Sequence, residues 1–111
     1  MKIDFNSIEE KKNENFKGGE KYYAVKMFSD PMIKIMKGRL IPGASIGLHT
    51  HDTSCEVFFF KSGHGYVLFD GQRIDVGPGD VHYCPKGHQH TLINDAASTE
   101  DLIFDAVVPE Q

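Results

Sequence analysis

The sequence predicts an all-β domain, an antiparallel sandwich or barrel of short strands. Strand-like apolar segments recur between turn signals along the chain, and no apolar stripe with a helical period persists. The length of 111 residues fits one domain. Hydrophobic residues make up 40% of the chain and charged residues 25%, as in an ordinary globular protein. We expect roughly eight or nine strands from the spacing of the turns.

The first residues read as an arm that precedes the barrel. Glu9 to Lys21 is polar, charged and contains glycine, which is typical of a loop or a loosely attached segment. At most one helical turn is expected, near Phe5 to Glu10. The composition of Tyr22 to Ser29 is that of a first strand. We therefore divide the chain into an N-terminal arm, residues 1–21, and a single barrel domain, residues 22–111.

The remaining strands are bounded by turn residues. After the break at Asp30-Pro31, apolar and polar positions mix from Met32 onward, which favours a strand over a helix. The apolar run VFFF ends at a glycine-rich turn. Asp70-Gly71, between YVLF and RIDV, predicts a hairpin. Glycine or proline sets two further turns, and the last strand, DLIFDAVV, ends at Pro109.

Charge and composition argue against several classes of function. The net charge is −4 and the basic residues are scattered, so no nucleic-acid surface is expected. No apolar stretch approaches the roughly 20 residues that cross a bilayer, and the N-terminus does not resemble a secretory signal. We expect a cytoplasmic protein. Cys55 and Cys84 are expected to be free thiols, since a secreted scaffold of this size would carry more cysteines.

A histidine pair and a glutamate carry the clearest chemical signal. His49 and His51 lie two residues apart, so in a strand their side chains point to the same face. Glu56 follows a short turn, and a return strand can bring its carboxylate beside them. Imidazole and carboxylate together suit Mn, Fe, Co, Ni or Zn. A fourth ligand is available from His88 or His90, and position alone does not choose between them.

The alternative without a metal is that each histidine is exposed or simply hydrogen-bonded, as most histidines are. The His-x-His spacing and the adjacent glutamate favour the metal interpretation, because inward polar groups need partners and one ion satisfies them all.

Two spaced motifs resemble those of the cupin superfamily. The first is Gly, five residues, His-x-His, four residues, Glu, six residues, Gly, from Gly43 to Gly63 in GASIGLHTHDTSCEVFFFKSG. The second is Gly, five residues, Pro-x-Gly, two residues, His, three residues, Asn, from Gly79 to Asn94 in GDVHYCPKGHQHTLIN. Both motifs fit at every spacing, and together they cover about half of the chain.

The resemblance implies a jelly-roll β-barrel, or double-stranded β-helix, with one divalent transition metal inside. Its ligands would be His49, His51, Glu56 and His90, which settles the choice of the fourth histidine. A homodimer formed through the sheets is implied as well. The resemblance names no substrate.

Strand alternation suggests which side chains surround the metal. If Glu56 faces inward, Phe58 and Phe60 do too, and they would line an apolar substrate pocket. Phe59 would face the other side, where it is a candidate for packing between sheets or for a dimer face.

Other polar residues have two readings each. Asp105, a charge in an apolar strand, is either on a solvated edge or a general acid or base in the pocket. Arg39 is either a surface residue or a ligand for an anionic substrate. His88 is a catalytic candidate or could hold the tautomer of a ligand. His64 is expected to be exposed in its glycine-rich turn. For His82 we expect exposure, with a place in the pocket as the alternative.

Three functions are consistent with these residues. The first is a metal-dependent enzyme for a small oxygenated acid or sugar, of the decarboxylase, dioxygenase or isomerase type. The second is a non-catalytic module that binds a small molecule or the metal. The third, a metal-free structural barrel, is disfavoured because four inward polar side chains would lack a partner.

Overall fold

A computed structural model describes residues 1–111. It contains ten strands and two single turns of 3-10 helix, at Phe5–Ser7 and Phe16–Gly18. The strands are β1 (Lys11–Glu14), β2 (Tyr22–Ser29), β3 (Ile33–Leu40), β4 (Ser45–Thr50), β5 (Glu56–Ser62), β6 (Gly65–Phe69), β7 (Gln72–Val76), β8 (Val81–Cys84), β9 (Gln89–Ile93) and β10 (Leu102–Pro109). Neither helical turn is long or apolar enough to cross a membrane.

Two antiparallel sheets form a jelly-roll barrel, which confirms the predicted fold class. The larger sheet has the strand order β1-β2-β3-β10-β5-β8, and the smaller has the order β4-β9-β6-β7. Their inner faces enclose a single apolar core. Its fully buried large side chains include Phe58, Phe104, Leu40, Leu92 and Leu102. Aromatic rings meet in this core, as Phe58 and Phe104 do edge to face with centroids 5.3 Å apart.

Most predicted strands lie where the sequence places them. The segment Tyr22–Ser29 is β2, and the mixed segment after Met32 is β3. The predicted hairpin joins β6 to β7. Asp70 and Gly71 both have positive φ, 47° and 82°, as a two-residue turn that follows the twist of the strands requires.

The N-terminal segment differs from the prediction. Lys11–Glu14 is strand β1, which pairs with β2, so the loop prediction for Glu9 to Lys21 is wrong there. The amide of Asn13 also donates to the carbonyl of Tyr23 at 3.2 Å. β1 is a charged edge strand with little apolar content, so its sequence reads as a loop. The single helical turn expected nearby is the one at Phe5–Ser7.

Two glycines bring the N-terminal segment against β4. A Cβ at Gly47 would lie 2.1 Å from the carbonyl oxygen of Lys17, and one at Gly19 would lie 2.1 Å from that of Ser45. Only glycine permits this approach of backbone to backbone. The segment around Lys17 therefore packs against Gly47, which precedes His49 by two residues.

Both cysteines are buried and unpaired, which confirms that they are free thiols. Burial, together with nearby negative charge, raises the pKa of Cys84 to about 12. Cys84 is therefore a small core residue, as expected, and does not form a thiolate at neutral pH.

Asn94, the last residue of the second motif, binds one buried and one partly buried carbonyl. It is fully buried, and its amide donates to the carbonyls of Leu40 and Glu100, each at 2.9 Å. Its own backbone carbonyl accepts from the amide of Gly43, the first residue of the first motif. One side chain and its backbone thus connect the ends of β3 and β9 to the loop before β10.

Asn94→Leu should destabilise the fold. Leucine fills nearly the same space but leaves the buried carbonyl of Leu40 and the partly buried carbonyl of Glu100 unpaired, so we expect the free energy of unfolding to fall by about 2 to 4 kcal/mol. Urea unfolding followed by circular dichroism measures this. Asn6→Leu, at an exposed position, is the control and should change little. Equal stability of the two variants would contradict the role given to Asn94.

Candidate metal centre

Four polar side chains converge between the two sheets. His49 lies near the end of β4, His51 just beyond it, Glu56 at the start of β5 and His90 in β9. His49 and His90 face each other directly in the β4–β9 pairing. His51, Glu56 and His90 are buried, and His49 is partly buried. The fold thus gathers the four residues that the two motifs single out.

The distances define a compact set of donor atoms. The Nε2 atom of His90 lies 3.1 Å from Nε2 of His49 and 3.0 Å from Nε2 of His51. The same atom lies 3.0 Å from Oε1 of Glu56. All four donor atoms lie within 4.8 Å of one another. Three nitrogens and one carboxylate oxygen at this spacing could hold a metal ion.

Hydrogen bonds at the far side of two rings orient these nitrogens. Nδ1 of His49 lies 2.7 Å from the carbonyl oxygen of Gly47, which can only accept, so Nδ1 carries the proton. Nδ1 of His51 lies 3.1 Å from the hydroxyl of Ser54. In the neutral ring of His49 the lone pair is therefore on Nε2, directed at the centre of the cluster.

His82 supports the third imidazole. Its Nε2 lies 3.0 Å from Nδ1 of His90, and its side chain is buried. Burial, with the neighbouring charge of His90, lowers the pKa of His82 to about 4, so the ring is neutral at neutral pH and can accept a hydrogen bond from His90. The expectation of an exposed His82 is wrong. The available signal was its spacing of two from Cys84, which puts both on the inner face of β8.

The carboxylate of Glu56 supplies the negative charge. Burial alone would raise the pKa of Glu56, but the imidazoles of His49, His51 and His90 outweigh it and hold the pKa below its usual range. The cluster therefore combines one anion with three imidazole nitrogens, and the lone pair on Nε2 of His49 is directed at it. Such an arrangement is repulsive unless a cation sits among them, so the donor set fits a divalent metal.

Phe58 and Phe60 face inward as alternation predicts, but they do not line the cavity. Phe58 stacks on His90 with ring centroids 5.3 Å apart and an angle of 8° between the planes. Phe60 packs deeper, against Phe58 and Phe104. Neither phenylalanine lines the cavity, so the structure offers no support for the substrate-binding role predicted for them. They belong to the core beneath the cluster, where Phe58 is 1% and Phe60 3% exposed.

The cavity opens on the other side of the cluster. It measures about 700 Å³ and is bordered by His49, His51 and Glu56. Six residues on the inner faces of β2, β3, β4 and β10, which we call the apolar wall, line it: Tyr23, Val25, Met27, Met36, Ile46 and Val108. The N-terminal segment closes another side through Ile8, Glu9, Lys11, Asn13, Phe16 and Lys17. Residues assigned to the predicted arm thus contribute to the site.

Tyr23 is a cavity residue that sequence reasoning missed. Its ring is buried, and within the protein its hydroxyl contacts only the sulfur of Met36, at 3.9 Å. Burial and the nearby charge of Glu56 raise the pKa of this hydroxyl above its usual value. Tyr23 therefore keeps its proton and can donate it to a ligand in a hydrogen bond.

The two catalytic candidates from the sequence lie outside the cavity. Asp105 points to the outer face of the larger sheet, where Lys37 and Lys61 approach it at 3.3 Å and 3.4 Å. This is the solvated alternative. His88 is about half exposed and binds Asp70, with Nδ1 and Oδ2 2.6 Å apart. The sequence analysis suggested that His88 holds the tautomer of a ligand histidine, but it is His82 that contacts His90.

Arg39 also points away from the cavity. It forms ion pairs with Glu10 at 2.8 Å and Asp101 at 3.2 Å, so it fastens the N-terminal segment to the loop before β10. The substrate-binding alternative for Arg39 is not supported, because its guanidinium is already occupied. His64 is exposed, as predicted.

Comparisons with known proteins agree with this geometry. A family model described as "Cupin domain" matches residues 36–104. A solved structure from Thermotoga maritima, described as a predicted oxalate decarboxylase, superposes with a TM-score of 0.90, covering 100% of both chains at 23% identity. A cupin domain from Schizosaccharomyces pombe gives a TM-score of 0.79 over 100% of this chain and 74% of that one, at 11% identity. At these identities the likeness is one of fold.

A curated relative is closer in sequence. The oxalate-binding protein of Thermotoga maritima is 33% identical over 70 residues, which are 63% of this chain and 56% of the relative. An uncharacterised protein of Methanocaldococcus jannaschii is 33% identical over 52 residues, 47% of this chain and 42% of that protein. The chain thus spans about half the length of the curated relatives it matches. Because the cupin-domain match covers more than half of this chain and its fold agrees, the chain belongs to the cupin family.

Proposed function

We propose that this cupin binds one divalent transition metal through His49, His51, Glu56 and His90. The observation that carries the proposal is the convergence of imidazole nitrogens on one buried carboxylate, with Nδ1 of His49 already committed to a carbonyl. Manganese, iron, cobalt, nickel and zinc all suit three imidazoles and a carboxylate. Elemental analysis of the purified protein identifies the ion.

We further propose that the cavity accepts a small oxygenated acid beside this ion. Two descriptions from Thermotoga maritima, "oxalate-binding protein" for the curated relative and "predicted oxalate decarboxylase" for the solved structure, support an acid over a sugar. A divalent ion here would polarise a carboxylate or carbonyl oxygen, or make bound water more acidic. Tyr23 would donate a hydrogen bond to the ligand, and the stacked ring of Phe58 would keep water from the back of His90.

A binding module without catalysis is the second candidate. It is favoured by the positions of Asp105 and His88, since neither predicted acid or base reaches the cavity. Tyr23 retains its proton and is a poor base. Incubation of the metal-loaded protein with a bound acid, followed by chromatography, separates the candidates. Consumption of the acid indicates an enzyme, and its recovery unchanged indicates a binding module.

We also propose a homodimer formed on the outer face of β5 and β8. Phe59, Val81 and Tyr83 are 41%, 58% and 53% exposed there. Phe59 and Val81 are direct neighbours across the strands, and Tyr83 continues the patch. β8 is also the free edge of the larger sheet. An apolar patch beside an open edge is a surface that a second copy can cover.

Protein purified without added metal should contain about one transition-metal ion per chain. His51→Ala and His90→Ala should each abolish most of this occupancy, because each removes a buried donor. Inductively coupled plasma mass spectrometry measures the metal. His64→Ala, which removes an exposed histidine, should retain it. Full occupancy in the His51 or His90 variant would refute the ligand assignment.

His82→Phe should weaken metal affinity by about 10- to 100-fold, because His90 loses the acceptor that orients its ring. Competition with a chromophoric chelator gives the dissociation constant. His82→Gln keeps an acceptor and should recover part of the loss, whereas His88→Phe should have no effect. Similar affinities for His82→Phe and the unmodified protein would show that the contact with His90 does not tune the site.

Phe59→Glu should convert the proposed dimer to a monomer, because it places a charge in the covered patch. Light scattering coupled to size-exclusion chromatography gives the mass. Ile74→Glu is a matched control, since Ile74 is 39% exposed but lies on the smaller sheet. A monomeric unmodified protein, or a dimer that survives Phe59→Glu, would rule out this interface.

A further inference from the structure

We propose that the ligand of this cavity is an oxygenated acid that carries an apolar body, and not a bare two-carbon dicarboxylate. The inference rests on the metal site proposed above and adds the class of ligand. It follows from the shape, the lining and the charge of the cavity, none of which the names of the relatives describe.

The first observation is the continuity of the apolar wall. Tyr23, Val25 and Met27 alternate along β2, and Met27 lies directly opposite Met36 in the pairing of β2 with β3. Ile46 extends the wall towards the end of β4 that carries His49. The wall therefore begins beside the metal ligands and runs outward, ending at Met27, which is 46% exposed. A ligand held at the cluster would meet apolar surface next.

The second observation is size. A cavity of about 700 Å³ falls within the range of sites that enclose drug-sized molecules. A two-carbon dicarboxylate fills only a small part of that space and leaves the apolar wall wet. A longer body that covers the wall removes apolar area from water, which favours binding. Two methionines in the wall also allow it to adapt to the body of the ligand.

The third observation is charge. Neither arginine of the chain reaches the cavity, because Arg39 is paired on the outer face and Arg73 is paired with Asp75. No guanidinium is available to clamp a second carboxylate. Apart from Glu56, the charged residues that line the cavity are balanced: Lys11, Lys17 and Lys34 against Glu9, Asp52 and Glu110. Such a lining adds little to the affinity for a dicarboxylate. A ligand with a single carboxylate on the metal needs no second cation.

A matched ligand series tests the inference. Pyruvate, 2-oxohexanoate and phenylpyruvate share one chelating head and differ in the apolar body, and oxalate is the dicarboxylate. Isothermal titration into the Co²⁺-loaded protein gives each affinity. A fully buried methylene strengthens binding by about fourfold, so we expect 2-oxohexanoate and phenylpyruvate to bind at least about tenfold more tightly than pyruvate and oxalate. Equal affinity across the series, or tightest binding of oxalate, would overturn the inference.

Met27→Glu locates the effect on the wall. This variant places a charge at the outer end of the wall and should remove most of the gain in affinity that 2-oxohexanoate shows over pyruvate. Met32→Glu is the matched control, because Met32 is 67% exposed and does not line the cavity, and it should keep the full gain. Loss of the gain in both variants, or in neither, would contradict a role for the wall.

Metal analysis of the same samples separates the two proposals. A protein that takes up Co²⁺ and binds pyruvate, but shows no gain with the longer acids, retains the proposed function and loses the inference about the ligand. A protein that takes up no metal loses both.

Discussion

The structure depends on holding one carboxylate, Glu56, between two sheets. A buried charge costs several kcal/mol unless neighbouring groups compensate it. Here the compensation comes from three imidazoles, two on adjacent strands of the smaller sheet and one just beyond β4, whereas Glu56 belongs to the larger sheet. The cluster therefore joins the sheets at one end of the barrel. A metal at this point would couple to folding, since it stabilises an arrangement that the unfolded chain cannot offer.

Several backbone features meet at that end of the barrel. The carbonyl of Gly47 accepts from His49, and its missing side chain admits the backbone of Lys17. Nearby, Asn15, Lys17 and Lys21 all have positive φ, which non-glycine residues adopt at a cost. Such strain persists where surrounding contacts fix the backbone, and it is common near ligand sites. The same glycine thus fixes the tautomer of His49 and contacts the backbone of the segment that closes the cavity.

Strand alternation and motif spacing predict those residues of the site that lie close together in the sequence. Period-two alternation and the His-x-His spacing are enough to single out His49, His51 and Glu56 from the sequence. They also predict that Phe58 faces inward, but alternation cannot distinguish a cavity lining from a packed core. The contact of His82 with His90 was out of reach, because it depends on how β8 lies across the barrel from β9.

Long-range ion pairs decide between the two readings that the sequence left for Arg39 and Asp105. Only the folded chain brings their partners from other strands and segments: Glu10, Asp101, Lys37 and Lys61. β1 was missed for a related reason, since an edge strand needs little apolar content once a neighbour supplies its hydrogen bonds.

The core beneath the cluster decides from which side a ligand can approach. His90 is fully buried, with Phe58 stacked on one face and His82 at its far nitrogen. Those neighbours leave no path to the cluster through the barrel. His49 is the most exposed of the four, with 14% of its side chain accessible, and it borders the cavity. The open space lies between the N-terminal segment and the apolar wall, so most of its lining comes from outside both sequence motifs, and the rest comes from Ile46 and the stretch from His49 to Glu56.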